Sequence, residues 1–408
     1  MIEKTKVAIV GAGPGGMTAA LFLARRGIAT LLLDKAVFPR DKVCGDALSG
    51  KVLSVLKRLD PELPSLLATR PFAIGSRGIN FYAPNRQCLR LPFKSNVVVS
   101  DAPGFTVRRA HFDNFLAGLV KKEPLIDFRE GLEIGRVDVS EEHASLYDRK
   151  NQELFRSDLV IMCNGAHSAF ARDRGLTMEP AHYSAGVRQY FRGVAGLDKD
   201  NFIELHFLKG VLPGYLWIFP LSDNGANVGL GIRSDVVSKK RLNLKKILTD
   251  LLANDPYLKE RFKAAEALGN IQGYGLPLGS KRRRISGSRY MLCGDAASLI
   301  DPFTGEGISN AMISGMFAAG QAEICVRQSD FSAKTMLAYD QEVYRRLGKE
   351  LSMSTKLQKL IAYPWLFDFV VSKANSNEAL SSLISSMFDD IDLRKKFRNP
   401  LFYLSLLK

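Results

Sequence analysis

Residue types that build metal sites and disulfide frameworks are scarce in this 408-residue sequence. Its five cysteines are odd in number and include no CxxC pair, which argues against structural zinc and disulfides and favours a reducing compartment. The five histidines lack HxxxH and HExxH spacing, so the sequence predicts no metal site. The cysteines are Cys44, Cys88, Cys163, Cys293 and Cys325.

Long apolar runs are also missing. No uninterrupted apolar stretch approaches the ~18 residues typical of a membrane-spanning helix. A glycine-rich motif begins at Lys6, which leaves no room for a signal peptide before it. We therefore expect a cytoplasmic protein that is either soluble or peripheral on the inner face of the membrane.

The charge is unbalanced, with 57 basic against 42 acidic residues and a net charge of +15. Such an excess attracts anions, among them nucleic acid, phosphorylated cofactors, pyrophosphate-bearing lipids and anionic membranes, and charge alone does not choose between them. No recognition helix or RNA-binding motif is present, so we expect no nucleic-acid partner. The run KRRR at 281–284 is a solvated loop or, alternatively, a site for an anionic headgroup or for a diphosphate of the substrate or donor.

Residues 6–35 have the pattern of a nucleotide-binding βαβ unit. The apolar run VAIV is typical of a buried parallel strand, and the GxGxxG spacing follows it. The first glycine permits a tight turn, the second lets the backbone approach a pyrophosphate, and the third lets helix and strand pack closely. The residues assigned to this turn are Gly11, Ala12, Gly13, Pro14, Gly15 and Gly16.

An acidic residue closes the second strand of this unit. The Asp34 carboxylate can accept hydrogen bonds from a ribose diol and would repel a 2′-phosphate, so the adenosine belongs to FAD or NAD and not to NADP. The neighbouring Lys35 is assigned to the same site.

A second strand, turn and helix pattern occurs at residues 291–320. Asp295 follows Gly294 at the predicted strand end, where a carboxylate can bind a sugar-like hydroxyl. TGEG at 304–307 then precedes a helix whose free N-terminal amides can stabilise negative charge, as on a reduced flavin. The two turns together predict that the chain binds both ends of FAD.

Five blocks of the sequence resemble the geranylgeranyl reductase family of FAD-dependent oxidoreductases, which has the flavoprotein fold of para-hydroxybenzoate hydroxylase. The first block, GAGPGG with Asp34, is shared by many flavoproteins, whereas PRDKVCG, YLWIFP and DPFTGEG are more specific to the reductases. The other blocks are PRDKVCGDAL at Pro39–Leu48, VRRAHFD at Val107–Asp113, GYLWIFP with VGLG at Gly214–Gly231, and CGDAASLIDPFTGEGI at Cys293–Ile308.

The resemblance implies cofactor roles for several residues. Arg109 would contact the FAD pyrophosphate or ribityl region, and Asp295 the ribityl hydroxyls. The family usually has an Asp-Gly pair where this chain has Asn164-Gly165, which keeps an acceptor but loses a charge and makes a nicotinamide donor less certain. The residues implied at the flavin end are Gly294, Asp295, Pro302, Gly305, Glu306, Gly307 and Ile308.

The resemblance also implies a catalytic set of Lys42, Cys44 and Gly45 with the aromatic Tyr215 and Trp217. It places Lys42 and Cys44 close to both the flavin and the substrate, so these two are assigned to cofactor binding as well. Cys44 is either a buried packing residue or a group that delivers a proton or positions the substrate near the flavin. The aromatic strand either buries one face of a second sheet or forms a wall for a flat or polyunsaturated substrate. The other four cysteines are interpreted as packing residues.

The predicted fold class is α/β, with a discontinuous Rossmann-type FAD-binding domain, an inserted and mainly antiparallel β-sheet domain for the substrate, and a helical C-terminal region. The expected FAD-binding domain comprises 1–72, 100–180 and 270–335, the substrate domain 73–99 and 181–269, and the helical region 336–408. A substrate pocket is expected at the domain junction. LIAYPWLFDFVV at 360–371 and the terminal FRNPLFYLSLLK predict either an interfacial membrane helix or a helical cap.

The leading functional hypothesis is reduction of C=C double bonds in an isoprenoid or another unsaturated lipid-like substrate by hydride from reduced flavin. The alternatives are a flavin monooxygenase acting on an aromatic or polyketide-like substrate, a halogenase, and a non-catalytic flavin-bound redox sensor at a membrane. The sequence has no second strand-linked GxGxxG, so NAD(P)H would bind transiently over the flavin, or another reductant would replace it. The oligomeric state is not determined by the sequence.

Overall fold

The computed structural model describes residues 2–93, 97–99, 102–176 and 179–385. The chain forms two compact units, each assembled from separate segments. The parallel-sheet unit comprises Met1–Asp41, Ala110–His182 and Leu276–Ser352. The antiparallel-sheet unit comprises Lys42–Arg109, Tyr183–Gly275 and Met353–Lys408.

The strands of the described residues follow one another along the chain as β1 (Glu3–Val10), β2 (Thr30–Leu33), β3 (Ala47–Leu48), β4 (Ile74–Ser76), β5 (Gly78–Tyr82), β6 (Cys88–Pro92), β7 (Gly104–Thr106), β8 (Ile126–Arg129), β9 (Arg136–Val139), β10 (Ala144–Tyr147), β11 (Glu153–Met162), β12 (Tyr183–Arg192), β13 (Ile203–His206), β14 (Tyr215–Leu221), β15 (Gly225–Arg233), β16 (Glu266–Pro277), β17 (Ser286–Gly287) and β18 (Tyr290–Leu292).

The helices are α1 (Pro14–Ala24), α2 (Gly50–Leu59), α3 (Leu63–Ala68), α4 (Arg109–Val120), α5 (Ala169–Asp173), α6 (Ser234–Lys240), α7 (Leu244–Asn254), α8 (Pro256–Phe262), α9 (Ile308–Gln328), α10 (Ala333–Leu360), α11 (Pro364–Ser376) and α12 (Glu378–Ser385), with short 3₁₀ turns at Pro180–His182 and Gly294–Ala297.

The parallel-sheet unit is built on a sheet with strand order β17-β18-β11-β1-β2-β8, to which the antiparallel pair β9 and β10 is added beside β11. The strands β18, β11, β1, β2 and β8 run parallel. The apolar run of β1 is fully buried, as expected for a central parallel strand covered on both faces. This confirms the Rossmann-type arrangement predicted from VAIV and the glycine-rich turn.

Two helices of this unit approach each other very closely through glycine. A Cβ added to Gly315 of α9 would lie 2.2 Å from the Gly15 carbonyl oxygen of α1. Only the absence of a side chain permits this backbone-to-backbone contact. The contact brings the helix after the first glycine-rich turn against the helix after the second turn.

The antiparallel-sheet unit contains a seven-stranded sheet in the order β16-β12-β15-β14-β13-β5-β6. The pairs β12–β15, β15–β14, β14–β13 and β5–β6 are antiparallel, whereas β13 and β5 pair in parallel. One face packs on α7, where Leu216, Ile218 and Val228 of the sheet join Leu248 in a buried core. The predicted second, mainly antiparallel sheet is therefore confirmed, and YLWIFPL forms its strand β14. A separate three-stranded sheet has the order β3-β7-β4.

The C-terminal part is helical from α10 to α12, as predicted, up to Ser385. The terminal FRNPLFYLSLLK lies outside the described residues. In the part of the chain that the structure describes, none of the helices combines the length and the apolar character needed to traverse a membrane.

The compact units divide the chain at positions other than those expected for the domains. The antiparallel-sheet unit begins at Lys42 and not near residue 73, because β3 pairs with β7 and β5 pairs with β13 inside it. The segment 42–72, expected to belong with the FAD-binding residues, is thus part of the unit that contains the large antiparallel sheet. The functional boundaries of the two domains stay a prediction.

Candidate active site

The first glycine-rich turn has the geometry of a phosphate cradle. Gly11 has a φ of +103°, and a Cβ there would lie 2.3 Å from the Cys163 carbonyl oxygen. A Cβ on Gly16 would lie 1.9 Å from the Gly11 carbonyl oxygen, so α1 can follow β1 only with glycine at this position. Both glycines are therefore required by the local packing of the chain itself.

Gly13 differs from these two glycines. A Cβ added there would meet nothing within 4 Å, and its φ of −74° is accessible to any residue. Gly13 is the N-cap of α1, and no side chain caps this helix end. Open space beside a backbone that begins a helix fits a pyrophosphate, which binds to free amides and needs close approach.

Asp34 is anchored at the end of β2. Its Oδ2 accepts a hydrogen bond from the Ala12 amide at 2.6 Å, and its Oδ1 accepts one from the Ala36 amide at 2.8 Å. These bonds orient the carboxylate beside the turn and leave acceptor capacity for a ribose diol. The adjacent Lys35 is exposed.

The predicted Asn164-Gly165 pair lies next to the same turn. The two residues follow β11, and a Cβ on Gly11 would be 2.9 Å from the Asn164 amide nitrogen. Gly165 has a φ of +78°, which favours glycine. The structure thus brings together the predicted residues that follow β1 and those that follow β11. The role of Asn164 toward a cofactor stays a prediction.

The second turn contains the predicted flavin-end residues. Gly294 has a φ of +57°, and its Cβ would lie 2.7 Å from the Ala311 side chain of α9. A Cβ on Gly307, the N-cap of α9, would be 3.6 Å from Asp295 Oδ1. The carboxylate of Asp295 therefore lies beside the start of α9, where free amides favour negative charge on a ligand.

Asp301 shapes this turn and was not singled out from the sequence. Its buried Oδ1 accepts hydrogen bonds from the amides of Phe303 at 2.9 Å and Thr304 at 2.8 Å. Its carbonyl accepts a third bond from the Gly305 amide at 3.0 Å. Its position before Pro in the DPFTGEG block, as in an Asx turn, was the available signal. The turn residues Pro302, Gly305, Glu306 and Ile308 follow this anchor.

The antiparallel-sheet unit gathers the predicted catalytic residues. A Cβ on Gly45 would lie 2.9 Å from the Phe219 ring, so the KVCG turn rests against the aromatic strand β14. The Lys42 ammonium lies 5.3 Å from the centre of the Tyr274 ring, a cation–π contact. The PRDKVCG and YLWIFP blocks are about 170 residues apart in the chain, and folding joins them.

The aromatic strand presents its rings on the side opposite the apolar core. Leu216 and Ile218 are fully buried in the core, whereas Tyr215 and Trp217 are half-buried and their ring centres lie 6.3 Å apart. A Cβ on Gly229 would lie 2.3 Å from the Trp217 indole, so this glycine makes room for the ring. The predicted alternation along β14 is present, with the Tyr215 and Trp217 rings on the face opposite the apolar core.

A buried carboxyl beside Cys44 was missed by the sequence reasoning. Asp46 has a φ of +71° and is completely buried, and it accepts hydrogen bonds from Tyr190 at 2.8 Å and from Asn227 at 2.7 Å. The Arg109 amide donates a third bond at 3.1 Å. Burial raises the pKa of Asp46 to about 6, although these donors oppose the shift. The signal available in the sequence was an acidic residue within the PRDKVCGDAL block, since a buried charge needs hydrogen-bond partners.

The thiol of Cys44 lies in the same environment. Burial raises its pKa, while the positive charges of Arg109 and Lys42 oppose the shift. The Cys44 side chain is consequently a neutral thiol at neutral pH. Arg109 begins α4 and is buried in this unit, and its predicted contact with FAD stays a prediction.

One interpretation of the cysteines was wrong. Cys88, expected to pack, is exposed on β6, whereas Cys293 and Cys325 are buried as expected and Cys163 is half-buried. Alternation along β6 turns Cys88 toward solvent while Leu89 points inward.

Comparison with known proteins agrees with these two sites. The profile of the FAD binding domain family matches residues 4–203, and that of the geranylgeranyl reductase catalytic domain matches residues 185–272. The first range contains the glycine-rich turn and Cys44, and the second contains the aromatic strand. The chain is therefore an FAD-dependent oxidoreductase. The resemblance to the geranylgeranyl reductase family that the sequence motifs predicted is confirmed.

Curated relatives cover most of the chain. A digeranylgeranylglycerophospholipid reductase of Thermoplasma acidophilum is 29% identical over 354 residues, which are 86% of this chain and 85% of the relative. A menaquinone reductase of Mycobacterium tuberculosis is 29% identical over 383 residues, which are 89% of this chain and 85% of the relative. Both relatives are named as reductases.

Solved structures give the same fold. A geranylgeranyl bacteriochlorophyll reductase-like protein of Thermoplasma acidophilum matches with a TM-score of 0.79 at 26% identity, over 91% of each chain. A flavin-dependent brominase matches with a TM-score of 0.75 at 20% identity, over 99% of this chain and 100% of that one. The similarity to the brominase shows the fold alone.

Proposed function

We propose that this enzyme saturates C=C double bonds in an isoprenoid or another lipid-like unsaturated substrate. The observation that carries the proposal is the contact of the KVCG turn with the aromatic strand β14, a strand that belongs to the region matching the reductase catalytic domain. FAD, when bound and reduced, supplies a hydride equivalent to one alkene carbon. A proton delivered to the other carbon completes the addition.

The substrate class is supported by the surface next to Cys44. An isolated alkene is a poor electrophile, so it has to be positioned tightly and kept from water. Half-buried Tyr215 and Trp217 provide flat apolar area for a polyunsaturated chain. The described residues of this aromatic face include no cluster of His, Cys, Asp and Glu that could hold a metal.

Cys44 is the proposed proton donor. Cys44 is half-buried, and desolvation raises the pKa of its thiol, so the thiol is neutral at neutral pH and has a proton to give. The positive charges of Lys42 and Arg109 would stabilise the thiolate that is left when the thiol gives up its proton. NAD(P)H or another reductant is the proposed source of electrons.

Anaerobic reoxidation tests the reaction. Photoreduced enzyme, kept free of oxygen, should regain the oxidised flavin absorbance when a prenyl lipid is added, and the lipid should gain 2 mass units per bond. A monooxygenase would instead leave the lipid unchanged and form a product 16 mass units heavier only with oxygen. Reduced enzyme that is reoxidised by no prenyl lipid or prenyl quinone contradicts the proposal.

We also propose peripheral contact with an anionic bilayer through the aromatic end of α11. Tyr363, Trp365 and Phe369 are exposed by 59%, 70% and 56%. Trp365 and Phe369 are four residues apart and so share one helix face. The exposed lysines Lys356, Lys359 and Lys373 accompany them in the chain. Exposed aromatic rings combined with basic residues are typical of helices that lie in the headgroup region, and the net charge of +15 favours anionic lipid.

A further inference from the structure

Asn227 is a buried amide that the proposed reaction leaves without a role. It lies on β15 with no exposed surface. Its Oδ1 accepts a hydrogen bond from Trp217 Nε1 at 2.8 Å. Its Nδ2 donates to the carbonyl of Cys44 at 2.6 Å and to Oδ2 of Asp46 at 2.7 Å. One side chain thus connects three residues from two distant parts of the sequence.

The chemistry of the partners determines the orientation of this amide. An indole N–H can only donate, so it needs the amide oxygen, and a backbone carbonyl can only accept, so it needs the amide nitrogen. A flipped amide would place two donors together at Trp217 and two acceptors together at Cys44. Asn227 therefore has a single favourable orientation and holds both partners at the same time.

The sheet register explains how the amide reaches both partners. Phe219 is paired with Asn227, and Trp217 is paired with Gly229, so the indole is the diagonal neighbour of the amide on one face. Tyr190 of β12 is paired with Asn227 from the other side and donates to Asp46. The side-chain-free Gly229 lets the indole lie across β15 toward the amide.

We propose that Asn227 is a positioning residue that holds the Trp217 indole and the Cys44 turn in one fixed arrangement, with Asp46 as its third anchor. The arrangement itself does not depend on the proposed function, and only the expected effect on turnover rests on it. Trp217 would form the wall for the substrate and Cys44 would donate the proton, and Asn227 sets their mutual placement without contacting the substrate. A loss of placement of about 1 Å is enough to slow a reaction by about 100-fold.

Two readouts that need no substrate test the arrangement. The sequence has two tryptophans, so a Trp365→Phe background leaves Trp217 as the sole indole emitter. In that background, Asn227→Ala should shift the emission of Trp217 and raise its quenching by acrylamide at least twofold. Alkylation of Cys44 by iodoacetamide, followed on its tryptic peptide, should become at least fivefold faster because the turn is released.

Asn227→Asp separates the two connections and serves as a second variant. It keeps an acceptor for Trp217 and loses the donor to Cys44, so alkylation should accelerate while emission stays near that of the parent. Asn80→Ala is the matched control, because Asn80 is also a buried amide of the same sheet and bonds to Asp198 at 3.2 Å. It should leave both Trp217 emission and Cys44 alkylation unchanged.

Turnover then tests coupling with Cys44. Asn227→Ala should lower kcat by 10- to 100-fold with FAD content unchanged, and the same change in a Cys44→Ala background should cost less than threefold. Unchanged emission and alkylation in Asn227→Ala, or effects equal to those of Asn80→Ala, would overturn the proposal. If no prenyl lipid is reduced at all, the function fails, and the emission and alkylation results still decide the role of Asn227.

Discussion

Cys44 and Asp46 are neighbours in the chain, and burial changes the acidity of both. The pKa of the thiol is raised, and that of the carboxyl reaches about 6, so both hold their protons at higher pH than they would in water. Raised pKa values beside an aromatic face and an ordered hydrogen-bond network are typical of functional sites. At the scale of single residues, we therefore expect Cys44 and Asp46 to control the supply of protons to the reaction.

Replacement of Cys44 tests its role in proton delivery. Cys44→Ala should lower kcat by about 100-fold, within the range usual for loss of a general acid, and leave the flavin absorbance per protein unchanged. Cys88→Ala is the matched control, because Cys88 is an exposed thiol of the same unit, and its turnover should equal that of the wild type. Equal turnover of Cys44→Ala and Cys88→Ala would remove Cys44 from the mechanism.

Asp46 makes stability depend on pH in a defined direction. Its pKa is about 6 in the folded chain and 3.8 as the ordinary value, so the folded state binds more protons between these values. Its stabilising effect is complete below about pH 4 and is lost as the pH rises through 6, a change of about 3 kcal/mol. Asp46→Asn stays neutral at every pH. The urea midpoint of the wild type minus that of the variant should therefore decrease as the pH is raised from 4 to 7.5.

The same measurement on Asp198→Asn controls for carboxylates in general. The pKa of Asp198 is lowered, because hydrogen bonds from Arg90 and neighbouring groups outweigh its burial, so its contribution is lost at low pH instead. If the difference in urea midpoint between wild type and Asp46→Asn is constant over this pH range, the Asp46 carboxyl is not a neutral acid near pH 5.

At the scale of elements, the glycine-rich turn combines two requirements that the GxGxxG pattern does not separate. Gly16 is needed for β1 and α1 to meet, and Gly13 has space beside it that no residue of the chain fills within 4 Å. The first is a packing requirement and the second is a ligand requirement. The two glycines therefore form a matched pair for substitution.

Gly13→Ala should fold normally but raise the dissociation constant of FAD at least tenfold, about 1.4 kcal/mol, because the methyl group occupies the space for the pyrophosphate. Gly16→Ala should instead lower the thermal stability of the apoprotein, because its Cβ collides with the Gly11 carbonyl. FAD titration and thermal unfolding of the apoprotein measure the two effects. Equal FAD affinity of Gly13→Ala and wild type would place the pyrophosphate elsewhere.

At the scale of the whole molecule, the exposed aromatic residues of α11 predict attachment to a bilayer. Trp365→Ala with Phe369→Ala should reduce co-sedimentation with phosphatidylglycerol vesicles at least fivefold, while pure phosphatidylcholine should bind the wild type weakly. Leu66→Ala, which removes another exposed apolar side chain, is the control and should bind like the wild type. Equal vesicle binding by the double variant and this control would exclude α11 as the membrane contact.

Features that depend on residues close together in the chain were predictable from the sequence, and features that depend on distant residues were not. The residues of the two glycine-rich turns were found because tight turns, helix starts and strand ends are local, and each leaves a pattern over a few positions. The YLWIFP strand was found from its alternation. Asp46 and Asn227 were missed, although both lie in blocks that were recognised, because their partners come from strands far away in the chain.

The sequence by itself determined the cofactor class and the two glycine-rich turns, because short spacing patterns depend on neighbours in the chain, and its motif blocks carried the resemblance to the reductase family. Only the tertiary structure decided that Lys42–Arg109 folds with the large antiparallel sheet and that Trp217, Asn227, Cys44 and Asp46 share one hydrogen-bond network. The physical reason is that burial and sheet register are properties of chain segments brought together by folding. The raised pKa values beside Cys44 have the same origin.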